Sequence, residues 1–222
     1  MSSYVRPPVE AAVFRDGGGR VIEYGNRWNG SPPGDTYSVD THLERFAPLH
    51  TVADALIAYL RDTYDVAVEE GADVVADLIR APSHDVVRAV RMRPGDPACA
   101  SLTVVMTAYP GIYLHAGVLH DFHYPVCGCD ACDSTWQVEA DQLEQQVLAV
   151  VSGHYRETLE RREGEPWVGY SFTYPDGASS GGSREEGMAP ERYAAAESEL
   201  RTLGAEWPAW PRRASVQCVL PH

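Results

Sequence analysis

Three cysteines lie within six residues of one short segment, HDFHYPVCGCDACDSTW, which covers positions 120–136. Cys127, Cys129 and Cys132 form the pattern C-x-C-x-x-C, and Gly128 supplies the backbone freedom that a tight turn requires. Thiolates are soft ligands, and zinc takes four nitrogen or sulfur donors in tetrahedral geometry. The spacing therefore predicts a loop folded around a zinc ion.

Three thiolates leave one coordination position for a further side chain. We favour His120, because the end of a strand that runs into the loop would hold an imidazole rigidly. Other donors stay open, namely His123, Asp130, Asp133 and the more distant His115 and His42. The predicted metal site is thus Cys127, Cys129, Cys132 and His120.

The cysteine pattern fits three kinds of chemistry. A closed structural zinc site is favoured, because catalytic zinc usually keeps one open position and takes fewer thiolates. A zinc-dependent, hydrolase-like enzyme is the alternative, with His120 or His123 as a proton shuttle beside a metal-bound water. A thiol redox sensor is the third, although no thioredoxin-like βαβ pattern surrounds the cysteines. The sequence leaves open whether the chain is an enzyme.

Charge and cysteine usage restrict the environment and the partners. Five cysteines, an odd number, and an N-terminus without an apolar stretch argue against a secreted disulfide framework, so we expect a cytoplasmic protein. The net charge of −14 argues against a nucleic-acid partner, because binding phosphates needs a basic face. No apolar run approaches the ~20 residues that span a bilayer, so no membrane partner is expected. The expected partner is an unidentified protein or small molecule.

Apolar residues at helical spacing predict three helices, over 51–64, 134–162 and 190–203. The stripe that carries the second helix includes Val147, Val151 and Tyr155. Pro190 suits the first turn of the third helix, and Gly204 suits its C-terminal cap.

Segments rich in β-branched and aromatic residues predict four strands, over 86–93, 102–109, 112–120 and 167–174. The turns RPGDP and YPG separate the first three, and such short connections make neighbouring strands antiparallel. Residues 66–80 fit either a strand or a short helix.

The two ends of the chain have a different composition. Residues 1–48 are rich in Pro, Gly and aromatic side chains, and they predict an extended arm that packs on the core, with a hairpin over 12–24. Residues 176–189 are rich in Gly and Ser and predict a flexible linker. Together the elements predict one α+β domain over 1–222, in which an antiparallel sheet of about four or five strands packs against two or three helices.

Several segments resemble an actinobacterial domain family of unknown function. They are YGNRWNGSPPGDTYS, HLERFAPLHTVADALI, HAGVLHDFHYPVCGCDACD and the long helix that follows. The similarity covers most of residues 4–175, and CGCDACD is its most specific motif; His115, His120, Asp133 and the three cysteines match it. The resemblance implies a cytosolic single-domain protein, and it brings no activity or catalytic residues. We therefore expect a binding or interaction module with a structural zinc site.

Overall fold

In the described residues, eight strands and three α-helices form the secondary structure that positions the cysteine loop. The computed structural model describes residues 3–10, 12–184, 188–203 and 206–214. Its strands form one five-stranded and one three-stranded sheet, both antiparallel. The prediction of an α+β fold with an antiparallel sheet is confirmed. The second sheet is a finding that the sequence did not predict.

The five-stranded sheet follows the order of the chain, β1-β2-β3-β4-β5. Its strands are β1 (Val66–Glu70), β2 (Val86–Pro94), β3 (Leu102–Thr107), β4 (Ile112–Ala116) and β5 (His120–Tyr124). All six residues of β3 are buried, since it is the central strand and is covered on both faces. Because β5 is an edge strand, only one of its two edges is paired with another strand of this sheet.

The predicted strand over 112–120 covers β4, a turn and the first residue of β5, and the two strands pair as a hairpin. The chain turns at Gly117, which has φ +67°, so that Ala116 pairs with His120 and Ile112 with Tyr124. A Cβ on Gly117 would lie 2.1 Å from Glu157 Oε2, so both the turn and the approach of this carboxylate require glycine. The turn reverses the chain and carries it back along the sheet towards the cysteines.

Two helices pack on the same core. The first, α1 (Pro48–Thr63), begins three residues before the predicted start and contacts both β4 and α2 (Trp136–Val151). The prediction that the second helix runs to residue 162 was wrong. It ends at Val151, and Gly153 follows with φ +76° and the Ala209 backbone within 2.8 Å of its missing Cβ. The apolar stripe continued into residues that belong to a strand.

The three-stranded sheet uses the segments on either side of Gly164. Its strands are β6 (Tyr155–Arg162), β7 (Glu165–Tyr174) and β8 (Gly177–Arg184). The predicted linker over 176–189 is therefore largely a strand, and its residues 185–187 lie outside the described part. Glycine has a packing role in β8, because a Cβ on Gly182 would lie 2.7 Å from Trp167 Nε1. Small residues make room here for the large aromatic side chains of β7.

The last helix, α3 (Pro190–Leu203), has the predicted bounds, while Gly204, its predicted cap, lies outside the described residues. The following segment is irregular but packed: Trp207 and Trp210 are buried, and Trp210 Nε1 donates to Ala100 O at 2.8 Å. The two tryptophans belong to the hydrophobic core that both sheets and all three helices share. In the described ranges, no helix combines the length and the apolar character needed to cross a membrane.

The N-terminal segment contains little regular structure. Two short 3-10 helices, Gly34–Thr36 and Leu43–Phe46, lie in it, and the predicted hairpin is reduced to a single bridge between Arg15 and Val21. Its side chains reach the loop between β5 and α2, which is where the cysteines are.

Candidate metal centre

The thiol groups of Cys127, Cys129 and Cys132 meet in the loop between β5 and α2. Cys127 Sγ lies 3.3 Å from Cys129 Sγ, which lies 3.5 Å from Cys132 Sγ, and all three are free thiols. All three sulfur atoms lie within 4.8 Å of one another. In the part of the chain that the structure describes, no other group of three His, Cys, Asp or Glu donors is so close. The three cysteines could hold a metal ion.

Local structure shapes this loop. The Cys132 backbone N–H donates to Cys129 O at 3.2 Å, and Asp133 takes a left-handed φ of +50° before α2 begins. Thr135 caps that helix, since its side chain accepts from the Val138 N–H. Gly128 is required for packing, because a Cβ there would lie 1.6 Å from Tyr109 Oη.

The N-terminal segment holds the loop from outside through Asp130 and Asp133. Arg27 donates to Asp133 through its backbone N–H and its Nε, both at 2.8 Å. Thr41 Oγ1 donates to Asp130 at 2.7 Å, and the Asp130 N–H donates to Val39 O at 2.8 Å. Both carboxylates are buried and already bound, so their role in the structure is to attach the N-terminal segment to the loop.

Arg45 connects the same segment to the backbone beside the thiols. Its Nη2 donates to Gly128 O at 2.6 Å, although only 3% of the residue is exposed. Its guanidinium lies 4.4 Å from the ring centres of both Tyr24 and Phe46, which compensate part of the lost hydration. The Gly128 carbonyl between two cysteines is thereby fixed.

The thiols share their protons unequally. Burial disfavours a Cys129 thiolate, but hydrogen bonds from the Cys132 backbone and from the two other thiols lower the pKa of Cys129 to about 7. Hydrogen bonds with Cys127 and Cys129 raise the pKa of Cys132 to about 12. Cys129 thus ionises more readily than Cys132, and a bound cation would favour the thiolate form of Cys132 that a metal site needs.

A cavity of about 510 Å³ opens beside the thiols, and we call it the cysteine cavity. Cys127 and Cys129 border it, together with polar side chains from other elements, which include Asp40, His84, Tyr109, Tyr113 and His123. Two histidines contact tyrosines in its wall. His84 stacks on Tyr109 with ring centroids 4.8 Å apart, and the tilted ring of His123 lies 4.4 Å from that of Tyr113. The metal position would therefore face a ligand-sized space.

His120, the predicted fourth ligand, is not brought to the cysteines. It lies at the far end of β5 from the loop, and its Nδ1 lies 2.9 Å from Glu157 Oε1. The physical reason is the hairpin turn, which places His120 at the first residue of an extended strand rather than at its last. Among the described residues, no fourth His, Cys, Asp or Glu donor joins the three thiols in this cluster.

Of the other histidines considered as fourth ligands, one lies near the thiols and two lie beside carboxylates. His123 borders the cysteine cavity, whereas the Nδ1 atoms of His115 and His42 lie 2.8 Å from Asp121 and 3.1 Å from Glu44. Sequence reasoning missed Asp40 and His84 as neighbours of the thiols. No local pattern marks them, since they reach the cavity through the fold.

An α+β fold with a cluster of three thiols that could hold a metal ion defines a candidate metal-binding protein. The chain belongs to a family of unknown function, DUF6226, whose model matches residues 10–214. The resemblance to a family of unknown function is thus confirmed, and the match extends beyond residue 175. No curated protein and no solved structure gives a significant match.

Proposed function

We propose that the chain binds one zinc ion through Cys127, Cys129 and Cys132, and that this ion stabilises a binding module. The observation that carries the proposal is the approach of the sulfur atoms to 3.3 and 3.5 Å without a disulfide. Zinc with Zn–S bonds of about 2.3 Å places tetrahedral sulfur ligands about 3.8 Å apart. An outward movement of a few tenths of an ångström would therefore admit the ion.

The surroundings of the loop support a structural role. Asp130 and Asp133 attach the N-terminal segment to the loop, and Arg45 holds the Gly128 carbonyl between two ligands. An ion at the centre of this loop would fix the backbone that all of these contacts use. Three thiolates also donate much electron density, which weakens the metal as a Lewis acid. Because the ion would fix this backbone, its binding would be coupled to folding.

The functional surface of such a module would be the cysteine cavity. Its volume of about 510 Å³ is within the range of small-molecule sites, and its walls combine aromatic rings with polar groups. The fourth zinc ligand would be a water or a donor from the cavity wall, where Asp40, His84 and His123 lie. A small molecule is therefore a ligand that this surface could accept.

The test is the metal content of untagged protein, measured by plasma mass spectrometry beside Cys129→Ala. We expect about one zinc per wild-type chain and almost none in the variant, and a melting temperature lower by about 10 °C or more after loss of the metal. Cys99→Ala is the matched control. Cys99 is buried and its Sγ donates to Ala209 O, so this variant should lose some stability and keep its zinc. Freshly purified, reduced wild-type protein without metal would refute the proposal and favour a thiol redox role.

The cavity also gives one observation in favour of a zinc-dependent enzyme. Cys127 and Cys129 border the open space directly, so a ligand entering it could reach the metal. Cobalt-substituted protein separates the two functions. Azide or a small thiol should change the cobalt absorption spectrum if the position exchanges, and a spectrum that neither reagent alters would exclude catalysis at this ion.

A further inference from the structure

A second arrangement of polar groups lies at the other end of β5, around the buried carboxylate of Glu157. Its Oε2 accepts from the Val118 N–H at 3.0 Å and from Trp207 Nε1 at 3.0 Å. Its Oε1 accepts from the Leu119 N–H at 2.8 Å and lies 2.9 Å from His120 Nδ1. Glu157 is fully buried, and four groups converge on its two oxygens.

These contacts determine how His120 can act. Both oxygens of Glu157 already accept N–H donors, so the carboxylate is the acceptor and His120 Nδ1 is the donor. In the neutral ring the lone pair is then on Nε2, as in other carboxylate–histidine pairs. His120 is 8% exposed, and its Nε2 is buried without a hydrogen-bond partner in the described residues. Such an unpaired buried acceptor is uncommon in a native protein.

The ring of His120 is also held from its sides. The Tyr170 ring meets it edge-on with centroids 5.0 Å apart, and the Phe122 ring stacks near it at 6.2 Å. Neither ring offers an acceptor or a donor to Nε2. The aromatic neighbours and Glu157 therefore fix the ring in one orientation, and they leave its acceptor for a group that comes from elsewhere.

His120 borders a cavity of about 420 Å³ between β5 and the sheet of β6, β7 and β8, and we call it the histidine cavity. Asp121 and Arg184 are among the residues that line it. Asp121 accepts from the Ile79 N–H and lies 2.8 Å from His115 Nδ1, so its carboxylate is already bound. Arg184 is exposed at the end of β8 and brings a positively charged side chain to the cavity.

We propose that the histidine cavity binds a small organic anion that carries a hydroxyl or amide donor. The anionic group would lie against the guanidinium group of Arg184, and the donor would bind to His120 Nε2. The anionic group of this ligand corresponds to the exposed Arg184, and its hydrogen-bond donor corresponds to the unpaired acceptor of His120. The site is separate from the proposed zinc ion, although Ser83, Tyr113 and His123 border both cavities.

Two dicarboxylates test the proposal, because L-malate and succinate differ by one hydroxyl group. We would measure the affinity of the full chain for each by isothermal titration calorimetry. Wild-type protein should bind malate about five- to tenfold more tightly than succinate, as expected for one hydrogen bond to a buried acceptor. His120→Asn keeps an amide donor for Glu157 and removes Nε2, so it should abolish that preference.

Arg184→Gln tests the anionic half with less risk to folding, because Arg184 is exposed at the end of β8. It should weaken both ligands by about fivefold or more. Arg61→Gln, at an exposed arginine of α1, is the matched control and should change neither affinity. Cys129→Ala, measured well below its own melting temperature, should bind malate as wild type does, because the histidine cavity does not need the metal.

Several results would overturn the proposal. They are the absence of malate binding up to about 10 mM, a malate preference that survives His120→Asn, and affinities that Arg184→Gln leaves unchanged. Loss of malate binding in Cys129→Ala protein that circular dichroism shows to be folded would also overturn it, since the ligand would then depend on the metal. Because this last variant tests the zinc proposal separately, failure of one proposal can be distinguished from failure of the other.

Discussion

Gly128→Ala adds one methyl group between two cysteines of the loop, at a point where Tyr109 leaves no room for it. The new Cβ would lie 1.6 Å from Tyr109 Oη, 2.9 Å from its Cζ and 3.3 Å from Phe46 Cε2. Tyr109 is half-buried and stacked on His84, so it cannot move without disturbing the wall of the cysteine cavity. We predict that this substitution destabilises the protein and weakens metal binding.

The magnitude follows from two opposing effects. Adding a carbon to a packed site costs about 1–3 kcal/mol, because side chains or backbone must shift. Alanine also restricts the unfolded chain, which stabilises a protein by about 0.4–1 kcal/mol when the folded backbone accepts it. Gly128 does not have a left-handed φ, so this second effect opposes the first. The free energy of unfolding should therefore fall by roughly 1–2 kcal/mol.

Urea denaturation of four proteins measures this effect: wild type, Gly128→Ala, Tyr109→Phe and the double variant. Tyr109→Phe removes the nearest oxygen but keeps the ring, so it should restore part of the stability that Gly128→Ala loses. Gly34→Ala is the control, because a Cβ there would meet nothing within 4 Å. It should leave stability unchanged or raise it slightly.

Two results would refute this reasoning. One is a Gly128→Ala protein as stable as Gly34→Ala, which would show that the loop relaxes freely around the methyl group. The other is a double variant in which the two single effects simply add, which would show that the Tyr109 hydroxyl is not the obstacle.

Two further predictions concern acidic groups beside the loop. Burial raises the pKa of Glu139, although hydrogen bonds from Ser134 and from the Val126 N–H oppose this. The protonated carboxyl group therefore contributes stability below the unfolded pKa of about 4.3. This contribution is lost as pH rises through the folded pKa. With metal removed from both proteins, Glu139→Gln should match wild type near pH 4 and exceed its stability by about 1–3 kcal/mol near pH 8 in urea denaturation; equal stability at both pH values would contradict this. Asp133→Asn weakens the buried pair with Arg27 and should cost about 1–3 kcal/mol, measured in the same way, against less than about 0.5 kcal/mol for the exposed Asp62→Asn control. An equal loss in the two aspartate variants would contradict the proposed attachment of the N-terminal segment.

Local patterns were sufficient where one feature decides the structure. The bounds of α3 and the position of β3 follow from apolar spacing and from short turns, and the approach of the three thiols agrees with their spacing in the sequence. Each of these features depends on residues that are close in sequence. Periodicity and turn chemistry are therefore sufficient to predict these local features.

The sequence-based predictions were wrong where a residue distant in the chain determines the local structure. The second helix ends at Val151, two residues before Gly153, which packs against the Ala209 backbone. The apolar stripe contains no sign of that contact. The Gly/Ser-rich segment Gly177–Arg184 became β8 because β7 offers it a ladder and large side chains that need glycine opposite them. In both places, the structure depends on a packing partner elsewhere in the chain, and the composition of the segment does not identify that partner.

The misplaced fourth ligand shows the same limit in the metal site itself. His120 and Cys127 are seven residues apart, a separation that places two side chains together only if the chain turns between them. The turn lies before His120 instead, at Gly117, where Glu157 from β6 accepts the backbone N–H groups of Val118 and Leu119. His120 is therefore separated from the loop by the whole of β5, which spans roughly 13 Å at about 3.3 Å per residue. Glu157 thus decides two features together, because it directs His120 away from the cysteines and towards the histidine cavity.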